Sequence, residues 1–260
     1  MTKSIINLRV VDNEALSPSY SLLRLTPDNG STLPSMLPGQ FVQVEVSRSK
    51  TTFLRRPISV CNVDADKNEL WLLVRLAGAG TAEMLSLNQG AIVNMILPLG
   101  NGFTMPESGN ANDGMLLIGG GVGVAPLLLL GRRLKSAGHS PSFLLGARSE
   151  ADLLLVDEFR KYGTVYLSTD DGSAGELGVV TRHSCLQNKK WNRIYCCGPA
   201  PMMKAVASVA RAIGASCEVS LENMMACGLG ACLCCVEKTV KGNVCVCTEG
   251  PVFNIEELTW

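Results

Sequence analysis

The pattern of apolar residues changes near residue 103, and no other feature narrows the possible folds as much. Over residues 5–103, short β-branched runs such as Phe41-Val42-Gln43-Val44-Glu45-Val46 and Leu70-Trp71-Leu72-Leu73-Val74 alternate with turn clusters, Pro27-Asp28-Asn29-Gly30 and Pro38-Gly39 among them. Regularly spaced short strands without a helical period predict a closed or nearly closed antiparallel barrel. After Gly100-Asn101-Gly102 and a polar link over residues 107–113, strand-like runs at 115–118, 143–145, 165–167 and 193–196 are separated by helical periods at 125–137, 153–162 and 202–213. Such alternation predicts a parallel sheet with helices on both faces. From about residue 219 the chain turns to glycine and cysteine, then to a short strand at 244–246. The expected organisation is therefore multi-domain, β followed by α/β: a barrel over 1–103, an α/β domain over 104–218 and a small C-terminal module over 219–260.

Composition narrows the function classes. With 260 residues, 47% of them hydrophobic and 18% charged, the chain is long enough for two domains that each bury a core without covalent staples. Lys and Arg number 23 and Asp and Glu 23, so no net field gathers a polyanion, and 5% aromatic residues leave few platforms for bases. Nucleic acid is not an expected partner. The two histidines, His139 and His183, stand far apart without neighbouring motifs, which argues against histidine-centred catalysis. Residues 114–132 open with the uncharged stretch GMLLIGGGVGVAPLLLLG, close to a bilayer's span. Its glycines and Pro126 fit a strand, a turn and a helix better, and no membrane segment is expected. The first nine residues hold Lys3 and Arg9 around too brief an apolar run for a targeting segment. Together with the cysteine usage, this leads to a cytoplasmic, reducing compartment as the expectation.

Six of the 11 cysteines crowd into one short segment, which marks a site rather than a disulfide framework. Cys227-Gly228-Leu229-Gly230-Ala231-Cys232-Leu233-Cys234-Cys235, followed by Cys247, has the C-x4-C-x2-C spacing and later cysteine of plant-type [2Fe-2S] proteins. Four thiolates around two irons need a tightly curled backbone whose N–H groups face the sulfurs, and Gly228 and Gly230 permit that curl. A structural zinc site with four cysteines is the rival reading. Spacing favours Cys235 over Cys234. Within Val244-Cys245-Val246-Cys247, strand alternation would put both cysteines on one face, so nothing local separates them.

Two glycine loops and one basic strand complete the candidates. Met115-Leu-Leu-Ile-Gly119-Gly120-Gly121-Val122-Gly123-Val124-Ala125-Pro126 runs from strand into helix, where a pyrophosphate can sit on helix N–H groups, although it does not fit G-x-G-x-x-G. A tight turn without a ligand is the alternative. Cys197-Gly198-Pro199 repeats the arrangement at a later strand, and the two loops together would form a crevice for a dinucleotide. Asp170-Asp171 would accept ribose hydroxyls and repel a 2′-phosphate, favouring NAD over NADP; a solvated turn explains it equally well. In the barrel, Arg55-Arg56-Pro57-Ile58-Ser59-Val60 places two guanidinium groups at the start of an apolar strand, and a guanidinium suits a diphosphate. Arg75 adds a charge, and Gly78-Ala79-Gly80-Thr81 reads as a loop that lets a ligand approach the backbone. Solvated arginines on an edge strand are the bland reading.

These motifs, with Pro98-Leu99-Gly100-Asn101-Gly102-Phe103, Thr169-Asp170-Asp171-Gly172 and the ending Cys247-Thr-Glu-Gly-Pro-Val-Phe, resemble the ferredoxin reductase superfamily across essentially the whole chain. Within it, the cysteine tail is similar to that of the electron-transfer subunits of NAD-dependent, type B dihydroorotate dehydrogenases. The resemblance implies that Arg56, Pro57, Ile58, Ser59, Leu73, Val74, Arg75, Gly80 and Thr81 contact FAD. It also implies that Gly119, Gly120, Gly121, Gly123, Cys197, Gly198 and Pro199 hold NAD as an exchangeable substrate, and that Cys227, Cys232, Cys235 and Cys247 bind the cluster. Cys247 is selected by its place just before Glu-Gly-Pro-Val-Phe. The stretch between third and fourth ligands is short for the family, and Cys234 is an extra thiol. The implied partner is an FMN-containing catalytic subunit, in a hetero-tetramer with two copies of each chain. Electrons would run from dihydroorotate through FMN, the cluster and FAD to NAD+, a step of pyrimidine biosynthesis. Two other readings are a hydrogenase or ferredoxin:NADP oxidoreductase subunit built from the same modules, and a non-enzymatic zinc-binding adaptor.

Overall fold

The structure, a computed structural model, describes residues 2–47, 51–107 and 114–260. Most of the polar link at 107–113 thus lies outside the described residues. Six strands form a closed antiparallel barrel: β1 (Ser4–Ser17), β2 (Tyr20–Pro27), β3 (Phe41–Val44), β4 (Arg56–Asp64), β5 (Glu69–Arg75) and, after the helix α1 (Ala79–Leu85), β6 (Ile92–Leu99), in the order β1-β2-β5-β4-β3-β6. Closure leaves no strand unpaired along a whole side. The barrel interior is aliphatic: Leu8, Leu23, Leu25, Val42, Val44, Val60, Leu70, Leu72 and Leu97 are fully buried. The residues read as a loop at 78–81 instead open α1, because the side chain of Thr81 accepts from the N–H groups of Ala77 and Gly78 at 2.8 and 3.1 Å and closes a helical first turn. At the other end of α1, Asn13 of β1 donates its amide to the carbonyls of Met84, Leu85 and Leu87, satisfying orphan acceptors of the last turn.

A second sheet has seven strands in the order β10-β9-β8-β7-β11-β12-β15. They are β7 (Met115–Gly120), β8 (Ser142–Ala147), β9 (Thr164–Thr169), β10 (Glu176–Leu177), β11 (Arg193–Cys197), β12 (Ser216–Ser220) and β15 (Val252–Asn254). All pairs are parallel except the last, in which β15 runs antiparallel to β12. The connecting helices are α2 (Ala125–Ser136), α3 (Val156–Arg160), α4 (Cys185–Asn188) and α5 (Ala200–Ile213). The helix expected over 153–162 is only α3, because Leu155 takes a left-handed conformation (φ 56°) directly before it. The step from β7 to β8 moves one way across the sheet and that from β11 to β12 the other, so two right-handed crossovers put α2 and α5 on opposite faces. Every residue of β7 is buried, as a central parallel strand requires. Among the described residues no helix is long and apolar enough to cross a membrane.

The remaining elements are the hairpin strands β13 (Val236–Thr239) and β14 (Gly242–Cys245) and the helical turn α6 (Val246–Glu249). The strand expected at 244–246 stops at Cys245, so Cys247 lies in a helical turn and alternation does not apply to the pair. By contacts the chain divides into two compact units. Residues 1–102, 223–237 and 243–251 make up the first, and residues 103–222, 238–242 and 252–260 the second. The cysteine segment thus groups with the barrel, and the last strand completes the parallel sheet.

Candidate functional site

In the barrel, strand pairing opens a seam. β4 pairs with β5 only from Val60 opposite Leu72 to Asp64 opposite Glu69, while Arg56, Pro57, Ile58 and Ser59 pair with β3 alone. Leu73, Val74 and Arg75 likewise pair only with β2. Two backbone edges therefore diverge beyond Val60 and Leu72, and backbone groups facing such a seam need another partner. Leu73 and Val74 are buried, so what they offer a ligand is main chain; Pro57, Ile58 and Ser59 are half-buried and Arg75 is exposed.

The two adjacent arginines have different jobs. Arg55 donates to the Asn94 carbonyl at 3.0 Å and to Asn94 Oδ1 at 2.6 Å and lies 3.6 Å from the Glu45 carboxylate, so its charge is occupied. Arg56 makes no hydrogen bond or ion pair with the described residues and lies across the first turn of α1. A Cβ on Gly80 would stand 2.8 Å from its Nε. Only one guanidinium of the pair is thus available to a diphosphate.

In the parallel sheet, the sequence-predicted loops meet at the point where strand order reverses, between β7 and β11, the position at which open α/β sheets bind ligands. The glycines are there first for packing. A Cβ on Gly123 would meet the Cys197 carbonyl oxygen at 2.5 Å, and one on Gly120 would meet Met202 Sδ at 2.5 Å and Pro199 Cδ at 3.2 Å. Gly119 packs on Val124, and Gly198 on Met202, in the same way. Gly121, at φ 55°, makes the turn out of β7. Cys197 is buried and its thiol is pushed up to about 12 by burial, with Glu222 adding to the effect, so it is a neutral packing group. Of the acidic pair, Asp171 accepts from Ser173 N and Oγ, which hold its carboxyl below its ordinary value, whereas Asp170 is exposed beyond β9.

The cysteine segment has N–H groups turned toward sulfur. Leu229 N donates to Cys227 Sγ at 3.3 Å, Gly230 N to Cys247 Sγ at 3.1 Å and Cys247 N to Cys235 Sγ at 3.4 Å. Gly228 (φ 70°) and Gly230 (φ 84°) supply the left-handed turns that aim them. The Leu229 N–H brings the Cys227 thiol down to about 6, aided by a hydrogen bond with Cys232. Burial and a hydrogen bond with Cys235 push Cys247 up to about 12. Cys227 thus touches Cys232, and Cys235 touches Cys247, while among the described residues no three or more such side chains are drawn together closely enough to hold a metal ion. Cys245 also touches the Cys235 thiol but has no backbone donor to its sulfur among the described residues. Sequence reasoning missed Asn101, whose Nδ2 donates to the carbonyls of Thr248 and Glu249, both at 2.9 Å, and so holds α6 and Cys247 in place. A single asparagine in a Gly-Asn-Gly turn carries no sign of such a distant partner.

An antiparallel barrel with a seam, a parallel sheet with its glycine-lined switch point and a thiol-lined tail define an oxidoreductase of the ferredoxin reductase-like class. Comparison with known proteins narrows this. Residues 222–259 match the iron-sulfur cluster binding domain of dihydroorotate dehydrogenase B, and residues 117–208 the oxidoreductase NAD-binding domain. The chain is 40% identical over 225 residues to the dihydroorotate dehydrogenase B (NAD(+)) electron transfer subunit of Shouchella clausii, covering 85% of this chain and 86% of that one. It is 38% identical over 253 residues to that of Lysinibacillus sphaericus, covering 95% of each. The chain belongs to the family of dihydroorotate dehydrogenase B electron transfer subunits. The solved structure of an NADH-dependent reduced ferredoxin-NADP oxidoreductase superposes with a TM-score of 0.84 at 29% identity over 97% of this chain and 90% of that one. Phthalate dioxygenase reductase, at a TM-score of 0.63, 23% identity and coverage of 80% and 64%, shares the fold.

Proposed function

We propose that the chain carries electrons between the FMN of a dihydroorotate-oxidising catalytic subunit and NAD+, holding FAD and a [2Fe-2S] cluster for the purpose. Bound FAD supplies the chemistry that joins the two ends, since nicotinamide exchanges a hydride, an iron–sulfur cluster exchanges one electron, and a flavin handles both. The residues on the page fit each group. Arg56, without a hydrogen-bond or ion-pair partner among the described residues and lying over Gly80, is the counter-charge for the FAD diphosphate, with Thr81 fixing the turn beneath it. Pro57, Ile58 and Ser59 on one edge of the seam and the backbone of Leu73, Val74 and Arg75 on the other take the rest of the flavin. Gly119, Gly120, Gly121 and Gly123 with Cys197, Gly198 and Pro199 would shape the crevice for the nicotinamide dinucleotide, and the exposed Asp170 carboxylate would accept hydrogen bonds from its ribose. No general acid is required of the chain; its residues bind and orient.

Cys227, Cys232, Cys235 and Cys247 are the cluster ligands, and the observation that carries the reading is their arrangement as two thiol pairs lined by backbone N–H groups. Those N–H dipoles favour the extra negative charge of a reduced cluster and raise its potential. Cys247 rather than Cys245 is the fourth ligand, because the Gly230 N–H points at its sulfur. A reductase subunit of a ferredoxin-NADP system is the second reading, favoured by the structural likeness. Identity of 38% along 95% of a dihydroorotate dehydrogenase subunit, against 29%, places it second. A hetero-tetramer with two copies of each subunit and a cytoplasmic location complete the proposal.

The test is spectroscopic. Anaerobically purified protein is expected to show flavin absorption, iron and acid-labile sulfide at two of each per chain, and a rhombic EPR signal after reduction with NADH. Zinc in place of iron, or colourless protein, would overturn the reading.

A further inference from the structure

Gln43 is a polar side chain at the centre of a short barrel strand, and it is fully buried. Two features of its surroundings stand apart from ordinary core packing. Across the sheet it is register-opposite Pro57, in the strand edge proposed above for the flavin. On its other side it touches the turn that carries the first cluster cysteine: Nε2 lies 3.5 Å from the Ala226 carbonyl, and a Cβ on Gly228 would stand 2.8 Å from both Cγ and Nε2. The hydrogen bond is long and weak; the tight element is Gly228, whose bare backbone lies on the amide itself. Gln43 Oε1 is buried and accepts no hydrogen bond from the described residues, so the Nε2 edge and the packing against Gly228 hold the side chain. The residues in this contact are Ala226 and Gly228 and the residue between them is Cys227, so the side chain at 43 packs against both neighbours of that cysteine.

We propose that Gln43 is a positioning residue that sets the placement of the Cys227 turn against the strand pair β3 and β4, and through it the rate of electron exchange between flavin and cluster. The inference rests on the cofactor reading above. Gln43 touches neither reacting centre; it acts through the cysteine turn on one side and the flavin strand on the other. Close packing on all sides makes the placement stiff, since interiors at crystal-like density transmit a displaced atom to its neighbours.

The experiment uses the full chain in complex with its catalytic subunit, comparing wild type with Gln43→Ala and Gln43→Met. Alanine removes the whole contact, whereas methionine keeps length and removes the amide. Flavin and iron content are measured first, then the single-turnover reduction of flavin by NADH, then the reduction of the cluster followed by EPR. With both groups at wild-type content, Gln43→Ala is expected to leave flavin reduction unchanged and to slow cluster reduction several-fold. A shift in cluster midpoint potential is expected alongside, as the Cys227 turn moves its N–H dipoles. Gln43→Met is expected to fall between the two, and it carries the test if the alanine variant does not fold or load. Unchanged cluster reduction and potential in a fully loaded variant would overturn the inference while leaving the functional reading intact. A wild-type protein without flavin or iron would overturn the reading itself.

Discussion

Arg55 and Arg56 are neighbours in sequence and opposites in use. The first spends its donors on Asn94 and its charge on Glu45; the second has no hydrogen-bond or ion-pair partner among the described residues and crosses Gly80. Arg56→Ala is therefore expected to weaken FAD binding by about ten- to a hundredfold, the value of about 1.5 to 3 kcal/mol for a hydrogen bond to a charged group. Arg55→Ala is expected to keep FAD and lose barrel stability instead. Flavin content after gel filtration and the urea midpoint separate the two. The cysteines divide in a similar way. Cys247→Ser is expected to lose most of the iron and sulfide, whereas Cys245→Ser retains both, since only the sulfur of Cys247 receives the Gly230 N–H. Iron analysis with EPR reads the contrast, and a cluster lost equally from both variants would contradict the ligand assignment.

The loops after β7 and β11 lock together through absent side chains, so their stability and their ligand site are one construction. Gly123→Ala would press a methyl against the Cys197 carbonyl, which stands 2.5 Å from the ideal Cβ position. The expected cost is about 1 to 3 kcal/mol of unfolding free energy, as for other overpacked positions, with a raised KM for NADH. Denaturant titration and steady-state kinetics with an artificial acceptor check both. A second corner of the sheet responds to pH. His183 is buried beside Glu176 and Tyr166; burial lowers its pKa from 6.5, with Glu176 and a backbone hydrogen bond with Leu167 opposing. Glu176 is lowered from 4.5 by hydrogen bonds from Ser184 N and Oγ, and to a lesser extent by His183. Both groups bind protons more readily in the unfolded chain, so the stability they contribute is present above the unfolded values and is lost as pH falls, first below about 6.5 and then below about 4.5. The urea midpoint is expected to drop between pH 7.5 and pH 5.5, and His183→Asn, which keeps an acceptor for Cys185 N, is expected to flatten that drop.

For the whole molecule, the order of redox groups follows from their electron counts, and it demands a partner on the one-electron side. The chain alone is expected to pass electrons from NADH to a dye through its flavin and to leave dihydroorotate untouched. Mixed with an FMN-containing catalytic subunit, it is expected to support dihydroorotate-dependent reduction of NAD+, followed by the absorbance of the NADH formed. Oxidation of dihydroorotate by the isolated chain would contradict the division of labour. Exposed Met224, Leu229 and Leu233 around the cysteine turn are consistent with a protein surface meeting the cluster there.

Period and spacing were legible from the residues alone. The barrel, the parallel sheet and the thiol motif are local or periodic patterns, and a pattern of two, of 3.6 or of C-x4-C-x2-C survives without knowledge of what lies opposite. What folding added is what depends on the opposite side. The seam between β4 and β5 exists because pairing stops at Val60, which no residue in either strand announces. Thr81 converts an apparent loop into a helix start by accepting from the backbone N–H groups of Ala77 and Gly78, and Cys247 leaves the strand pattern because α6 begins at Val246. Gln43 looks like the outward polar residue of an alternating strand, yet it is buried, since the cysteine turn 183 residues away covers it. Contacts of that range are invisible to periodicity, because the chain entropy spent in closing them is recovered only when both partners have already folded.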